Sequence, residues 1–144
     1  MSLFQKIFLG AVPVVFAITV HEVAHGWVAS RLGDQTARLR GRLTLNPLRH
    51  IDPVGTVLLP IILLSLSNFV FGWAKPVPVN TRNLGGHWKR KFMIIVAAGP
   101  ASNVVMAAIA AIGVRLIGFE SAGAPIFLFL LMMVIINVLL AVFN

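Results

Sequence analysis

Four stretches of the chain are almost free of charged residues and predict segments that enter a membrane. They cover residues 7–30, 53–74, 92–114 and 121–144, and Glu22 is the only formally charged residue within them. Each holds more than 20 residues, which is enough for a helix to cross a hydrocarbon core about 30 Å thick. We expect the first, third and fourth stretches to be transmembrane helices.

The second stretch, residues 53–74, allows two topologies. The connections on either side of it are both basic, and positive residues favour the cytoplasmic side of a membrane. A straight span would place these connections on opposite sides, whereas a re-entrant hairpin would place them on the same side. Pro60 and the polar residues within 65–68 offer a bend. We therefore favour a re-entrant segment over a straight helix of equal length.

The connection that precedes this segment has an alternating pattern. Arg38, Arg40 and Arg42 occupy even positions, while the leucines of residues 39–45 occupy odd positions. A period of two is typical of a β-strand with one basic and one apolar face. The fold class is therefore predicted as a mainly α polytopic membrane protein with three transmembrane helices, a re-entrant segment and a short membrane-associated β segment.

The composition agrees with a membrane protein. Of the 144 residues, 58% are hydrophobic and only 11% are charged, whereas a soluble domain carries about 25% charged residues. The chain is too apolar to be disordered, and the absence of cysteine excludes disulfides and thiolate metal sites. Twelve Lys and Arg stand against four Asp and Glu, for a formal net charge of +8. Each acid is therefore informative.

One of these acids lies in a pattern that is typical of metalloproteases, His21-Glu22-Val23-Ala24-His25. Residues four apart lie on one face of a helix, so both imidazoles can bind one Zn²⁺ from the same side. Glu22 then lies beside the metal rather than on it. Zinc lowers the pKa of its bound water to about 7, and a neighbouring carboxylate can accept the proton.

The alternative interpretations of this pattern are packed histidines, a metal-transport site or a bis-imidazole cofactor site. The environment argues against simple packing, because an acid at the centre of a membrane helix costs roughly 2.5–3.5 kcal/mol. Ionisable residues inside a membrane are functional by default. A catalytic metal centre at His21, Glu22 and His25 is therefore the favoured prediction.

Asn103 is the other polar candidate, since its amide could bond a substrate backbone or a zinc-binding histidine. It follows Lys91 by 12 residues, and His25 precedes Arg31 by six. If both basic residues mark the same interface, His25 and Asn103 lie within about 9–18 Å of it. A plain hydrogen bond between helices is the alternative role for Asn103.

Together these residues resemble the site-2 protease family of intramembrane zinc metalloproteases, in its compact bacterial branch without a PDZ insertion. The matching segments, in chain order, are HEVAHGW at 21–27, GRLTLNPLRHIDP at 41–53, FGWAKPVP at 71–78, AGPASN at 98–103 and NVLLAVFN at 137–144. The resemblance implies that His21 and His25 bind zinc and that Glu22 is the general base. It also implies the β segment, and it adds Asn144 to Asn103 as a residue that positions the substrate or the oxyanion.

The resemblance also predicts an incomplete metal site. The family's third zinc ligand is an aspartate in a Leu-Asp-Gly motif just past an asparagine like Asn144, where this sequence stops. We therefore expect residues 1–144 to be a single, C-terminally truncated metalloprotease core that binds zinc weakly and cleaves slowly or not at all. His50 and Asp52 could replace the missing ligand, but polar turn residues are the better interpretation of both.

The implied function is zinc-dependent cleavage of peptide bonds in or near the transmembrane helices of membrane-protein substrates. Membrane lipids are the expected surroundings, the bacterial inner membrane the expected location, and the active site is expected nearer the cytoplasmic side. Two alternatives are a catalytically impaired homologue acting as a membrane adaptor and a metal transporter. Nucleic-acid binding is not expected, because the positive charge flanks apolar spans and no recognition motif occurs.

Overall fold

Three long helices form the body of the protein, as predicted. The computed structural model describes residues 2–66 and 73–143. Within these residues, α1 is Leu3–Arg31, α2 is Thr36–Leu39, α3 is Leu59–Leu66, α4 is Trp88–Ile117 and α5 is Pro125–Phe143. Among them, α1, α4 and α5 are long and apolar enough to cross a membrane. Single turns of 3₁₀-helix occur at Pro47–Arg49, Thr81–Leu84 and Phe119–Ser121.

The three long helices pack against one another in pairs, and small residues allow their close approach. Ala107 and Ala110 of α4 are buried, and a Cβ added at Gly113 would lie 3.0 Å from the side chain of Leu130 on α5. Large apolar side chains such as Val104 and Ile109 point outward instead. Small residues inside and large apolar residues outside are typical of helices that pack within lipid.

The end of α1 and the beginning of α4 lie at the same end of this bundle. Ala29, Leu84 and Ile95 form a buried cluster there, and the Lys91 ammonium donates a hydrogen bond of 2.5 Å to the Leu84 carbonyl. The basic residues Arg31 and Lys91 therefore lie at one end of the bundle, which is the arrangement on which the predicted depth of His25 and Asn103 depends.

The predicted β segment is wrong. Thr36–Leu39 is a short helix, turns and bends follow it, and no residue in the described ranges belongs to a strand. The backbone amides close locally, because Arg40 N–H donates to the Thr36 carbonyl at 3.1 Å and Arg42 N–H to the Ala37 carbonyl at 2.9 Å. A strand needs a partner for its ladder, and even an isolated two-stranded hairpin is at best marginally stable. The period-two alternation alone therefore does not produce a strand here.

The predicted re-entrant segment is not supported, because residues 67–72 of the expected hairpin lie outside the described residues. Pro53–Leu58 is a π-helix that continues into α3, and together these 14 residues extend about 21 Å, which is short of a membrane span. Trp73 N–H donates to the Gly55 carbonyl at 3.1 Å, so Trp73 lies beside the π-helix. The bend predicted at 65–68 lies partly outside the described residues.

Residues 75–80, which we call the strap, belong to no helix or turn and pass along α1. Three backbone amides of the strap donate hydrogen bonds: Lys75 to the His50 carbonyl at 2.8 Å, Val77 to the Glu22 carboxylate at 2.7 Å and Asn80 to the Asp34 carboxylate at 2.6 Å. The strap therefore joins the helical bundle to the segment that contains His50.

Candidate metal centre

The two histidines of α1 face each other at the centre of the bundle. Their Nε2 atoms are 2.9 Å apart, and the ring centroids are separated by 4.6 Å with the planes at 83°. His21 is 3% exposed, so its ring lies almost entirely among protein atoms. The one-turn spacing on α1 thus brings the two imidazole nitrogens together, as the sequence predicts.

A chain of side-chain amides determines which nitrogen of His21 carries hydrogen. The Met133 carbonyl can only accept, so the Asn137 amide that bonds it at 2.7 Å must donate through Nδ2. Asn137 Oδ1 then accepts from Asn103 Nδ2 at 3.0 Å, and Asn103 Oδ1 faces His21 Nδ1 at 2.7 Å. The hydrogen bonds therefore assign the hydrogen of neutral His21 to Nδ1 and the lone pair to Nε2.

A backbone carbonyl orients the His25 ring in the same way. Its Nδ1 lies 2.7 Å from the carbonyl oxygen of Ile95, which can only accept. The lone pair of neutral His25 is therefore also on Nε2. In these tautomers both Nε2 atoms are acceptors, and a cation between them would bind both lone pairs. Metal-binding histidines usually donate their other N–H to a carbonyl or carboxylate in this way.

Gly99 on α4 leaves the space that such a cation needs. A Cβ added at this position would lie 2.4 Å from Nε2 of His21 and 2.4 Å from Nε2 of His25. Two nitrogen ligands about 2.0–2.1 Å from a tetrahedral Zn²⁺ are about 3.3 Å apart, close to the observed 2.9 Å. The residues present therefore fit two of the ligands of a zinc ion.

A third protein ligand does not lie among the described residues. In residues 2–66 and 73–143, no group of three or more His, Asp or Glu side chains is arranged so that it could hold a metal ion. The His50 Nε2–H donates to the Thr44 carbonyl at 2.9 Å, and Asp52 accepts from the amides of Val54 and Gly55 where the π-helix begins. Both are turn residues, as the sequence interpretation favours, and Asn144 lies outside the described residues.

Glu22 lies one residue from His21 and takes no part in the contact between the histidines. One carboxylate oxygen, Oε2, accepts the 2.7 Å hydrogen bond from Val77 of the strap. Within the part of the chain that the structure describes, Oε1 accepts no hydrogen bond. The carboxylate therefore keeps one oxygen available to accept a proton beside the two imidazoles.

The structure shows which contacts the Asn103 side chain makes. Its side chain is fully buried, and both of its polar atoms are engaged, one with His21 and one with Asn137. Asn103 therefore holds the His21 imidazole with one of its polar atoms and the Asn137 side chain with the other. Asn137 and Gly99 also belong to the site, although sequence reasoning assigned neither a role. The available signals were a polar residue in the last apolar stretch and a small residue before Pro100.

An apolar cavity of about 600 Å³ opens between α1 and α5 and the 47–56 segment. Its wall includes Thr19, two residues before His21, and the aliphatic side chains of Val15, Ile136 and Leu140. The cavity does not include His21 or His25 in its lining. It provides an apolar space beside the histidines rather than at them.

Comparison with known proteins shows that the chain belongs to the site-2 protease family, which confirms the predicted resemblance. It is 41% identical over 101 residues to the "Putative zinc metalloprotease YwhC" of Bacillus subtilis, and the match covers 67% of this chain and 40% of that relative. It is also 35% identical over 95 residues to the "Putative zinc metalloprotease Rip2" of Mycolicibacterium smegmatis, covering 65% of this chain and 34% of that protein. No family model matches the chain, and neither does any solved structure.

The Rip2 protein of Mycobacterium tuberculosis is similar as well, at 29% identity over 101 residues. The matched region spans 38% of that relative's length and 70% of this chain. The chain thus spans well under half the length of the curated relatives that it matches.

Proposed function

We propose that this chain forms the zinc-binding core of a membrane-embedded endopeptidase that hydrolyses peptide bonds in or beside the transmembrane helices of its substrates. The observation that carries the proposal is the convergence of the Nε2 lone pairs of His21 and His25 with Gly99 leaving space between them. The names of the relatives, which call them zinc metalloproteases, support the same chemistry.

His21 and His25 would hold the zinc ion through Nε2, and Asn103 and the Ile95 carbonyl would keep both rings in the required tautomer. Bound zinc supplies a Lewis acid that lowers the pKa of water and polarises the carbonyl under attack. Glu22 accepts the proton of the attacking water on its available oxygen and passes it to the leaving amine. The backbone amide of Val77 donates to the other carboxylate oxygen, Oε2.

The proposed substrate is a transmembrane segment that unwinds locally, because a helix hides its carbonyls in its own hydrogen bonds. The apolar cavity between α1 and α5 could hold apolar side chains of such a segment beside the histidines. A bacterial inner membrane is the proposed location. The basic end of the bundle near Arg31 and Lys91 would face the cytoplasm, since positive residues favour that side.

Replacing Glu22 with Gln tests this function in the protein reconstituted into lipid vesicles with a transmembrane substrate. We expect turnover to fall about 10²- to 10⁴-fold while bound zinc is unchanged, because the proton acceptor is lost and no ligand is removed. Glu120→Gln is the matched control, since Glu120 lies in the Phe119–Ser121 turn after α4 and should leave turnover intact. Equal turnover in both variants would exclude Glu22 as the base. Survival of a transport or lipid-binding activity in Glu22→Gln would instead favour a transporter or an adaptor.

A further inference from the structure

We propose that the strap is a positioning device for Glu22 and that the backbone amide of Val77 is its working group. The inference rests on the proposed function, in which Glu22 accepts the proton. By donating a hydrogen bond to Oε2, the Val77 amide would fix the carboxylate so that Oε1 is the oxygen that accepts the proton. Asp34 would anchor the far end of the strap.

The sequence of the strap limits which amides can donate. Pro76 and Pro78 have no N–H, so Val77 is the only donor among residues 76–78. Lys75 and Val77, on either side of Pro76, both donate toward the body of the protein, one to the His50 carbonyl and one to the Glu22 carboxylate. The intervening prolines prevent a competing donor and stiffen the strap.

The packing of Val77 places its amide opposite Glu22. Gly26 follows Glu22 by four residues and so lies on the same face of α1. A Cβ added at Gly26 would lie 2.9 Å from Cγ1 of Val77, and Val77 is only 8% exposed. The valine side chain therefore rests on the glycine while its amide reaches the carboxylate one turn away. A larger residue at position 26 would push the strap off this face.

Asp34 secures the strap just beyond the end of α1. Its side chain is fully buried, and Oδ2 accepts from the Asn80 amide at 2.6 Å. Oδ1 accepts from the Asn83 side chain at 2.8 Å and from both the amide and the hydroxyl of Thr36. A carboxylate with this many donors is a rigid anchor, because each loss would leave a buried polar group unpaired.

Replacing Val77 with Pro tests the role of the amide, and Val79→Pro is the matched control. The Val77→Pro variant deletes the donor to Glu22, whereas the Val79 amide donates to no group in the described residues. We expect Val77→Pro to lower kcat about 10-fold or more with KM and bound zinc unchanged, since a hydrogen bond to a charged group is lost. Val79→Pro keeps the Val77 donor to Glu22 and should leave kcat near the wild-type value.

Amide hydrogen exchange provides a second measurement that requires no protease activity. In the full chain in lipid, Glu22→Ala should speed exchange of the Val77 amide about 10- to 100-fold, while the amides of α4 exchange as before. If the wild-type chain cleaves nothing but this acceleration occurs, the proposed function fails and the contact stands. Equal exchange in wild type and Glu22→Ala, or equal kcat losses in Val77→Pro and Val79→Pro, would overturn the inference.

Discussion

Asn137 on α5 determines the tautomer of His21 on α1, although Asn103 of α4 lies between them. The Met133 carbonyl fixes the orientation of the Asn137 amide, and Asn137 in turn fixes the orientation of the Asn103 amide. Both asparagines are fully buried. All three long helices therefore contribute to the orientation of one candidate zinc ligand. This relationship makes the metal centre a property of the packed bundle rather than of the five-residue motif alone.

Replacing Asn137 with Leu should weaken zinc binding although residue 137 does not contact the ion. Without the acceptor on Asn137, the Asn103 amide can rotate and His21 loses its fixed tautomer. We expect the zinc dissociation constant to rise about 10- to 100-fold, as is usual when the hydrogen-bond partner of a metal-binding histidine is removed. Competition with a chromophoric chelator measures this change. Ser102→Ala is the control, because the Ser102 hydroxyl donates to the Gly99 carbonyl of its own helix and is not part of the amide chain. An equal loss there would contradict the role of the amides.

Replacing Gly99 with Ala should abolish zinc binding, because the new methyl group would occupy the space between the two Nε2 atoms. The matched control on the same helix is Gly113→Ala. There the Cβ would meet only the flexible end of Leu130 at 3.0 Å, and that side chain can move. Zinc content by mass spectrometry of the purified variants measures both. Full zinc occupancy in Gly99→Ala would show that the cation is not held between the histidines.

Replacing Asp34 with Asn should destabilise the protein and change how its stability depends on pH. Burial by itself would raise the pKa of Asp34, but hydrogen bonds from Thr36, Asn83 and Asn80 outweigh it and lower the pKa below 3.8. A carboxyl with a depressed folded-state pKa contributes stability above its unfolded value, and this stability is lost as the pH falls through the folded-state pKa. In the Asp34→Asn variant, a neutral side-chain amide replaces the carboxylate that accepts the hydrogen bond from the Asn80 backbone.

Denaturant unfolding in detergent between pH 7 and pH 2 measures this prediction. At neutral pH we expect Asp34→Asn to lower the free energy of unfolding by about 1–3 kcal/mol. The difference between wild type and variant should shrink below the unfolded pKa of 3.8, where wild-type stability falls. A difference that stays constant down to pH 2 would show that Asp34 acts without its charge.

Replacing Gly55 with Ala should disrupt the packing of Trp73 against the π-helix. A Cβ at residue 55 would lie 2.3 Å from the indole ring, so either the ring or the backbone must move. We expect a loss of about 1–3 kcal/mol in unfolding free energy, typical of overpacking. Gly10→Ala is the control, because nothing lies within 4 Å of its added Cβ. Equal stability of the two variants would contradict the close packing of Trp73 on the segment.

The sequence was a good guide wherever a local period or charge pattern decided the structure. The three long helices follow from uninterrupted apolar stretches, and the pairing of His21 with His25 follows from the helical repeat. The contact between Asn103 and a histidine, one of the roles considered for this residue, also occurs. These features depend on spacing within one element or on the high cost of a lone polar group in lipid.

The sequence was a poor guide wherever the outcome depended on tertiary partners. The alternation at 38–45 suggested a strand, but no neighbouring strand exists in the described residues and the amides close into turns. The strap could not be found in advance, because its role depends on Val77 meeting Glu22 across 55 residues of chain. The amide chain through Asn137 likewise needs α5 packed on α4.

Zinc stoichiometry of the purified chain and of three variants, measured by equilibrium dialysis, tests the central claim most directly. We predict one bound zinc per chain at saturation, with strongly weakened binding in His21→Ala and in His25→Ala. Glu22→Gln should bind like the wild type, because Glu22 lies beside the ion and is not one of its ligands. Zinc binding that survives loss of either histidine, or that disappears in Glu22→Gln, would contradict a metal centre built on His21 and His25.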